Sequence, residues 1–135
     1  MSTTRWPIRL GSRSRPFLGL IFGATPETAW AEVDSEGLRA SFGKYRFQAP
    51  LENIVSWRIE GPFRWITAIG IRTSLRHRDM SFAGSPHGGV RMDFRVPIPY
   101  GPLRVPAFYV GADDLDGFAA ALAALGVPGE DVRQR

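Results

Sequence analysis

At 135 residues, with 44% hydrophobic and 22% charged residues and no cysteine, the chain has the make-up of one globular domain. That composition excludes wholesale disorder, a disulfide scaffold, a thiol nucleophile and any thiolate metal site. The formal net charge of +4 is unevenly placed: residues 1–26 hold four arginines and no acid, and residues 64–104 hold seven arginines against Asp79 and Asp93.

Lys44 is the one lysine among 17 basic residues, and arginine suits bidentate pairing with carboxylates and phosphates. In chain order, residues 5–10 alternate weakly and end at Gly11-Ser12, the pattern of a short edge strand or arm, with Pro7 favouring an edge. The apolar run 17–22 reads as a buried strand or a helical turn and is too short to span a bilayer as a helix. Pro26 and Glu27 stand against a signal-peptide reading of this stretch, and with the absence of cysteine the expectation is a cytoplasmic protein.

Two alternating runs, 28–33 and 37–42, flank Asp34-Ser35-Glu36-Gly37, which is a hairpin signal. Gly43-Lys44 predicts a second tight reversal in which Phe42 faces Tyr45, because glycine supplies the positive φ such a turn needs. Residues 45–49 then form the third strand of a meander, and Pro50 ends it. Ile54–Glu60 and 64–72 read as neighbouring strands joined by Gly61-Pro62, with Val55, Trp57 and Ile59 on one face of the first and Ser56 and Arg58 on the other. A short strand is expected at Met80–Ala83 within an otherwise irregular loop.

The returning run 90–96 alternates almost perfectly: Val90, Met92, Phe94 and Val96 face the core, and Arg91, Asp93 and Arg95 face water. Pro97, Pro99, Pro102 and Pro106 then predict a stiff extended connection before a last strand at 107–110. A helix follows over 113–125, opened by Asp113-Asp114, ended by Gly126 and Pro128, with Leu115, Phe118, Ala119, Leu122 and Leu125 as its apolar stripe.

The organisation that emerges is mainly β with one C-terminal helix. It comprises a basic arm with a short strand (1–26), a single β domain (27–127) and a tail (128–135), built as a small antiparallel barrel or two packed sheets capped by helix 113–125. The run 34–46, with Pro50-Leu51-Glu52-Asn53-Ile54 and Gly61-Pro62-Phe63-Arg64-Trp65, resembles an uncharacterised group of small actinobacterial proteins, and the strand order with its terminal helix resembles a pleckstrin-homology-like (PH-like) barrel. The resemblance spans roughly residues 28–126, implies a fold and carries no catalytic motif. Pleckstrin-homology domains that bind inositol phosphates carry basic residues around the first hairpin; here Asp34-Ser35-Glu36 is acidic, which opposes that function.

Chemistry-bearing patterns are sparse. His77-x-Asp79 with His87 has the residue types of a facial metal triad, but Arg76 and Arg78 flank His77 and repel a cation, so no metal is assigned. In Gly84-Ser85-Pro86-His87, Pro86 lacks the N–H that a nucleophile elbow places after its serine. No phosphate-binding glycine motif is present, and neither a cofactor nor an enzymatic activity is assigned.

The sequence therefore favours a non-enzymatic binding module. It would present an edge strand or a basic rim to a protein or an anionic ligand through Arg58, Arg72, Arg76, His77, Arg78, Arg91 and Arg95, or pair with itself through the same edge as a homodimer. The alternative is a small-molecule or lipid binder that uses the barrel interior or a groove lined by Trp57 and Trp65. Nucleic-acid binding ranks third, because the aromatics interleaved with arginine sit at core-facing spacing.

Overall fold

The computed structural model describes residues 5–9, 27–43, 45–61, 70–73, 80–83, 88–100 and 103–132, with the side chains of 70–73, 80–83 and 103 outside the description. The sequence expectations at 17–22, at 62–69 and for the loop residues 74–79 and 84–87 lie outside these segments.

Four strands form the first sheet in sequential order: β1 (Arg5–Pro7), β2 (Trp30–Asp34), β3 (Gly37–Phe42) and β4 (Tyr45–Pro50), all antiparallel. Both predicted reversals are present, with Asp34 paired to Gly37 and Phe42 to Tyr45. Gly43 takes φ 65°, and Gly37 takes φ 134° in a place where a Cβ would run into the backbone of Ala49 and Pro50. Strict alternation sends Ala31, Val33, Leu38, Ala40, Phe42, Phe47 and Ala49 inward.

After a 3₁₀ turn at Leu51–Asn53, the second sheet contains β5 (Ile54–Glu60), β6 (Gly70–Thr73), β7 (Met80–Ala83), β8 (Gly89–Tyr100), β9 (Leu103–Val110) and β10 (Gly129–Asp131). Its spatial order is β10-β5-β8-β9-β7-β6. The pairs β7–β9 and β10–β5 are parallel, so the expectation of a purely antiparallel arrangement does not hold. β6, the described end of the predicted strand 64–72, pairs with β7 at the far edge and not with β5, whose neighbours are β8 and β10. Among the described residues no ladder closes the two sheets into one barrel.

The sheets share one core. The Phe47 ring of β4 stacks on Phe108 of β9 at 4.1 Å between centroids and on Phe94 of β8 at 5.8 Å. The helix α1 (Leu115–Ala124) packs against β2 of one sheet and β5 and β8 of the other, burying Leu115, Phe118, Ala119 and Leu122. Asp114 is its N-cap, accepting the Gly117 N–H at 2.9 Å. Asp113 lies before the helix and instead pairs with Arg9 at 2.6 Å, tying down the N-terminal segment. That segment belongs to the body of the domain: Ile8 is in the core and Trp6 meets Phe118 edge-on at 6.3 Å.

Two local departures from the sequence pattern have a common cause in strand register. Val55 is 42% exposed, because the β5–β8 register shifts between Ile54 and Ser56 and turns one extra residue outward. Val96 is 61% exposed and leaves the face of Val90, Met92 and Phe94. There the β8–β9 register shifts, and the Asn53 side chain takes the place of a strand, donating to the Val96 carbonyl and accepting its N–H, both at 2.8 Å. Pro97, Pro99 and Pro106 fall inside the strands of the long β8–β9 hairpin rather than in a connection. The expected tail contains β10 at Gly129–Asp131.

Candidate interaction surface

The outer face of the second sheet is built from the polar half of the alternation in β5, β8 and β9. Register sets Arg58 opposite Arg91, Arg91 opposite Tyr109, and Ser56 opposite Asp93. The same row continues at the backbone level through Ser81, paired with Tyr109, to Arg72, paired with Ser81, and on the other side reaches Glu130. Three of the arginines expected at a working surface, Arg58, Arg72 and Arg91, thus occupy matched positions across one sheet.

Two like charges facing each other across antiparallel strands are destabilising unless carboxylates intervene. Here they do. Arg91 donates through Nε to Asp93 Oδ1 at 3.0 Å and through Nη1 to the Tyr109 hydroxyl at 3.2 Å, and its guanidinium lies 5.3 Å from the Tyr109 ring centroid. Tyr109 in turn donates to Glu60 Oε1 at 2.5 Å. Arg58 sits more loosely, 3.6 Å from Glu60 and 3.8 Å from Asp93, and its side chain is 40% exposed against 16% for Arg91. Ser56 completes the group with a 3.4 Å hydrogen bond to Asp93.

The two arginines and two carboxylates sum to zero charge, so this part of the face is a mixed-charge lattice rather than a basic rim. Burial opposes the Arg91 charge, but its hydrogen bonds to Tyr109 and Asp93 outweigh that and raise its pKa. Burial, reinforced by the bond to Glu60, pushes the Tyr109 hydroxyl up to about 12. Arg91 is therefore a fixed bracket, and Arg58 is the cation with room to turn toward a partner.

The other sequence candidates are placed as follows. Arg95 is exposed on β8 near the register shift. Trp57 lies on the opposite face from Arg58, packed against the core, with its indole N–H donated to the Val127 carbonyl at 2.9 Å. Arg76, His77, Arg78 and Trp65 lie outside the described residues, as do Asp79, Ser85 and His87. Glu60, Asp93 and Tyr109 were not singled out as site residues from sequence. Alternation identifies each as facing outward, but only the register brings them together.

A second polar group covers the outer face of the first sheet, where Arg39 forks onto Asp34 at 2.6 and 3.4 Å and reaches Glu32 at 3.3 Å. The hydrogen bond to Asp34 is the main reason its pKa is raised. Arg5 also pairs with Glu32 and stacks 3.9 Å from the Trp30 ring. Beside Arg39 is a surface depression of 410 Å³ lined by Glu36, Leu38, Arg39, Gln48, Ala49 and Pro50. Among the described residues no group of three or more His, Cys, Asp or Glu side chains assembles as a metal site.

The fold and its surfaces define a mainly β protein of two sheets and one described helix. No described helix is long and apolar enough to cross a membrane. Compared with known protein families, curated proteins and solved structures, the chain matches none.

Proposed function

We propose that this chain is a non-enzymatic interaction module that presents the outer face of the six-stranded sheet to a protein partner. The observation that carries the reading is the Arg58–Arg91–Tyr109 row, prearranged by Glu60 and Asp93 and aligned in register with Arg72. Exposed ion pairs add little to stability, so a lattice of this kind finds its use in orienting a complementary polar surface and excluding wrong ones. The mixed sign of the lattice favours a protein surface over a polyanion. A PH-like fold is supported by the antiparallel meander facing a second sheet and by the C-terminal helix packed against both. The absence of cysteine supports a cytoplasmic location.

The test is quantitative co-purification from the native host with wild-type chain, Arg58→Glu, Arg72→Glu and a control reversal at the exposed Arg104 of β9, Arg104→Glu. A partner retained by wild type and the control, and depleted at least about tenfold by the two row variants, is the expected result; each reversal then removes on the order of 1.4 kcal/mol. Identical recovery on all four proteins would discard this face.

A further inference from the structure

We propose that the outer side of β5 is a strand-addition site for an extended segment of a partner protein, one with glycine opposite Trp57 and an acidic residue opposite Arg58, and that β10 occupies this site in cis. β10 pairs with Trp57, Arg58 and Ile59, three of the seven residues of β5. All three of its residues are exposed, so it anchors no side chain of its own in the core.

Main-chain pairing and one aromatic ring hold the segment to β5, and the buried Val127 anchors the chain just before it. The Trp57 N–H donates to the Pro128 carbonyl at 3.0 Å, and the Val132 N–H donates to the Ile59 carbonyl at 2.9 Å. The Trp57 indole N–H adds the bond to Val127 at 2.9 Å, and a Cβ on Gly129 would fall inside the Trp57 ring. Main-chain bonds supply affinity and the side-chain positions supply selectivity, which is the physics of strand addition. The selective elements are a residue without a side chain at the ring and, at the next position, Glu130 in register with Arg58. None of these contacts depends on the segment being joined to α1. Gly126 at φ 92° ends the helix, and Val127 is held by the core and by its N–H donated to the Leu122 carbonyl at 3.1 Å, so β10 would be released beyond Val127, with the helix and its C-terminal bonds left in place.

The site goes beyond the sheet-face reading, and Gly129→Val alters no side chain of that face. Full-length wild type and Gly129→Val are titrated into a fluorescently labelled peptide of residues 126–132, and into the same peptide with valine replacing the residue at 129, and binding is read by anisotropy. A competing cis segment lowers apparent affinity by the fraction of molecules that are open, so Gly129→Val, which cannot seat its own strand, binds the glycine peptide at least about tenfold tighter than wild type. It rejects the valine peptide. If Gly129→Val does not fold, Glu130→Lys with Asp131→Lys serves instead, loosening the strap through charge opposite Arg58, with the same direction of change. Equal binding to both peptides, no gain over wild type in either folded variant, or conversion of the variants to dimers by size-exclusion light scattering would overturn the proposal, the last in favour of exchange between copies.

Discussion

Replacing Phe47 with alanine tests whether the two sheets are held as one cooperative unit. Phe47 is 3% exposed, and its ring meets Phe108 at 4.1 Å, Phe94 at 5.8 Å and Tyr100 at 5.9 Å, so a single side chain of the first sheet engages three aromatic rings of the second. Truncating a buried phenylalanine costs about 3–5 kcal/mol from lost transfer energy and residual cavity. The flat stack on Phe108, with 9° between the planes, leaves rings that cannot collapse readily into the space, which places this site near ~4 kcal/mol. Against a total stability of about 5–15 kcal/mol that is a large fraction, and it lowers Tm by roughly 10–20 °C. Urea unfolding followed by tryptophan fluorescence measures the loss, with Phe47→Leu as a control that keeps most of the volume and costs about 1–1.5 kcal/mol. A loss below ~1.5 kcal/mol for Phe47→Ala at unchanged m would mean that the stack does not couple the sheets. Two separate transitions in the variant would show that the ring is what makes them unfold together.

Two further predictions concern single polar side chains. Asn53→Ala removes both hydrogen bonds to Val96 and is expected to cost about 1–2 kcal/mol by chemical denaturation. Asn53→Asp keeps the acceptor for the Val96 N–H but turns an oxygen toward the Val96 carbonyl; its deficit should shrink below about pH 4, where the protonated carboxyl donates again, and a deficit independent of pH would refute the strand-mimic role. Tyr109, with its pKa raised from 10.0 to about 12, contributes stability that is fully present below pH 10 and is lost as pH rises toward 12. Ultraviolet titration should show a late-titrating tyrosine, and Tyr109→Phe should remove both that component and the loss of stability across this window.

Much of the local structure was legible in the residues themselves. Gly37 and Gly43 mark reversals because only glycine enters those backbone conformations without strain, and Pro50 closes the strand between the second reversal and the 3₁₀ turn. The capped, amphipathic run after Asp114 specified the helix, and the alternation of Val90, Met92 and Phe94 against Arg91 and Asp93 specified which side of β8 is wet. These signals act over a few residues, within reach of backbone sterics and side-chain period.

Tertiary structure alone decided which strands are neighbours and in what register. Nothing within Ile54–Glu60 states that its partners come from residues 89–94 and 129–131, or that a one-residue shift at Val55 separates two in-register runs. The parallel pairings of β7 and β10 likewise depend on chain crossings that no local pattern encodes. The candidate surface has the same origin. Arg58 and Arg91 each read from sequence as outward, yet the same side chains would be scattered by a one-residue slip, because side-chain direction in a strand alternates with period two. Composition and periodicity determined that this protein has a wet, charged sheet face, and long-range pairing, set by burial of the shared aromatic core, decided which charges meet on it.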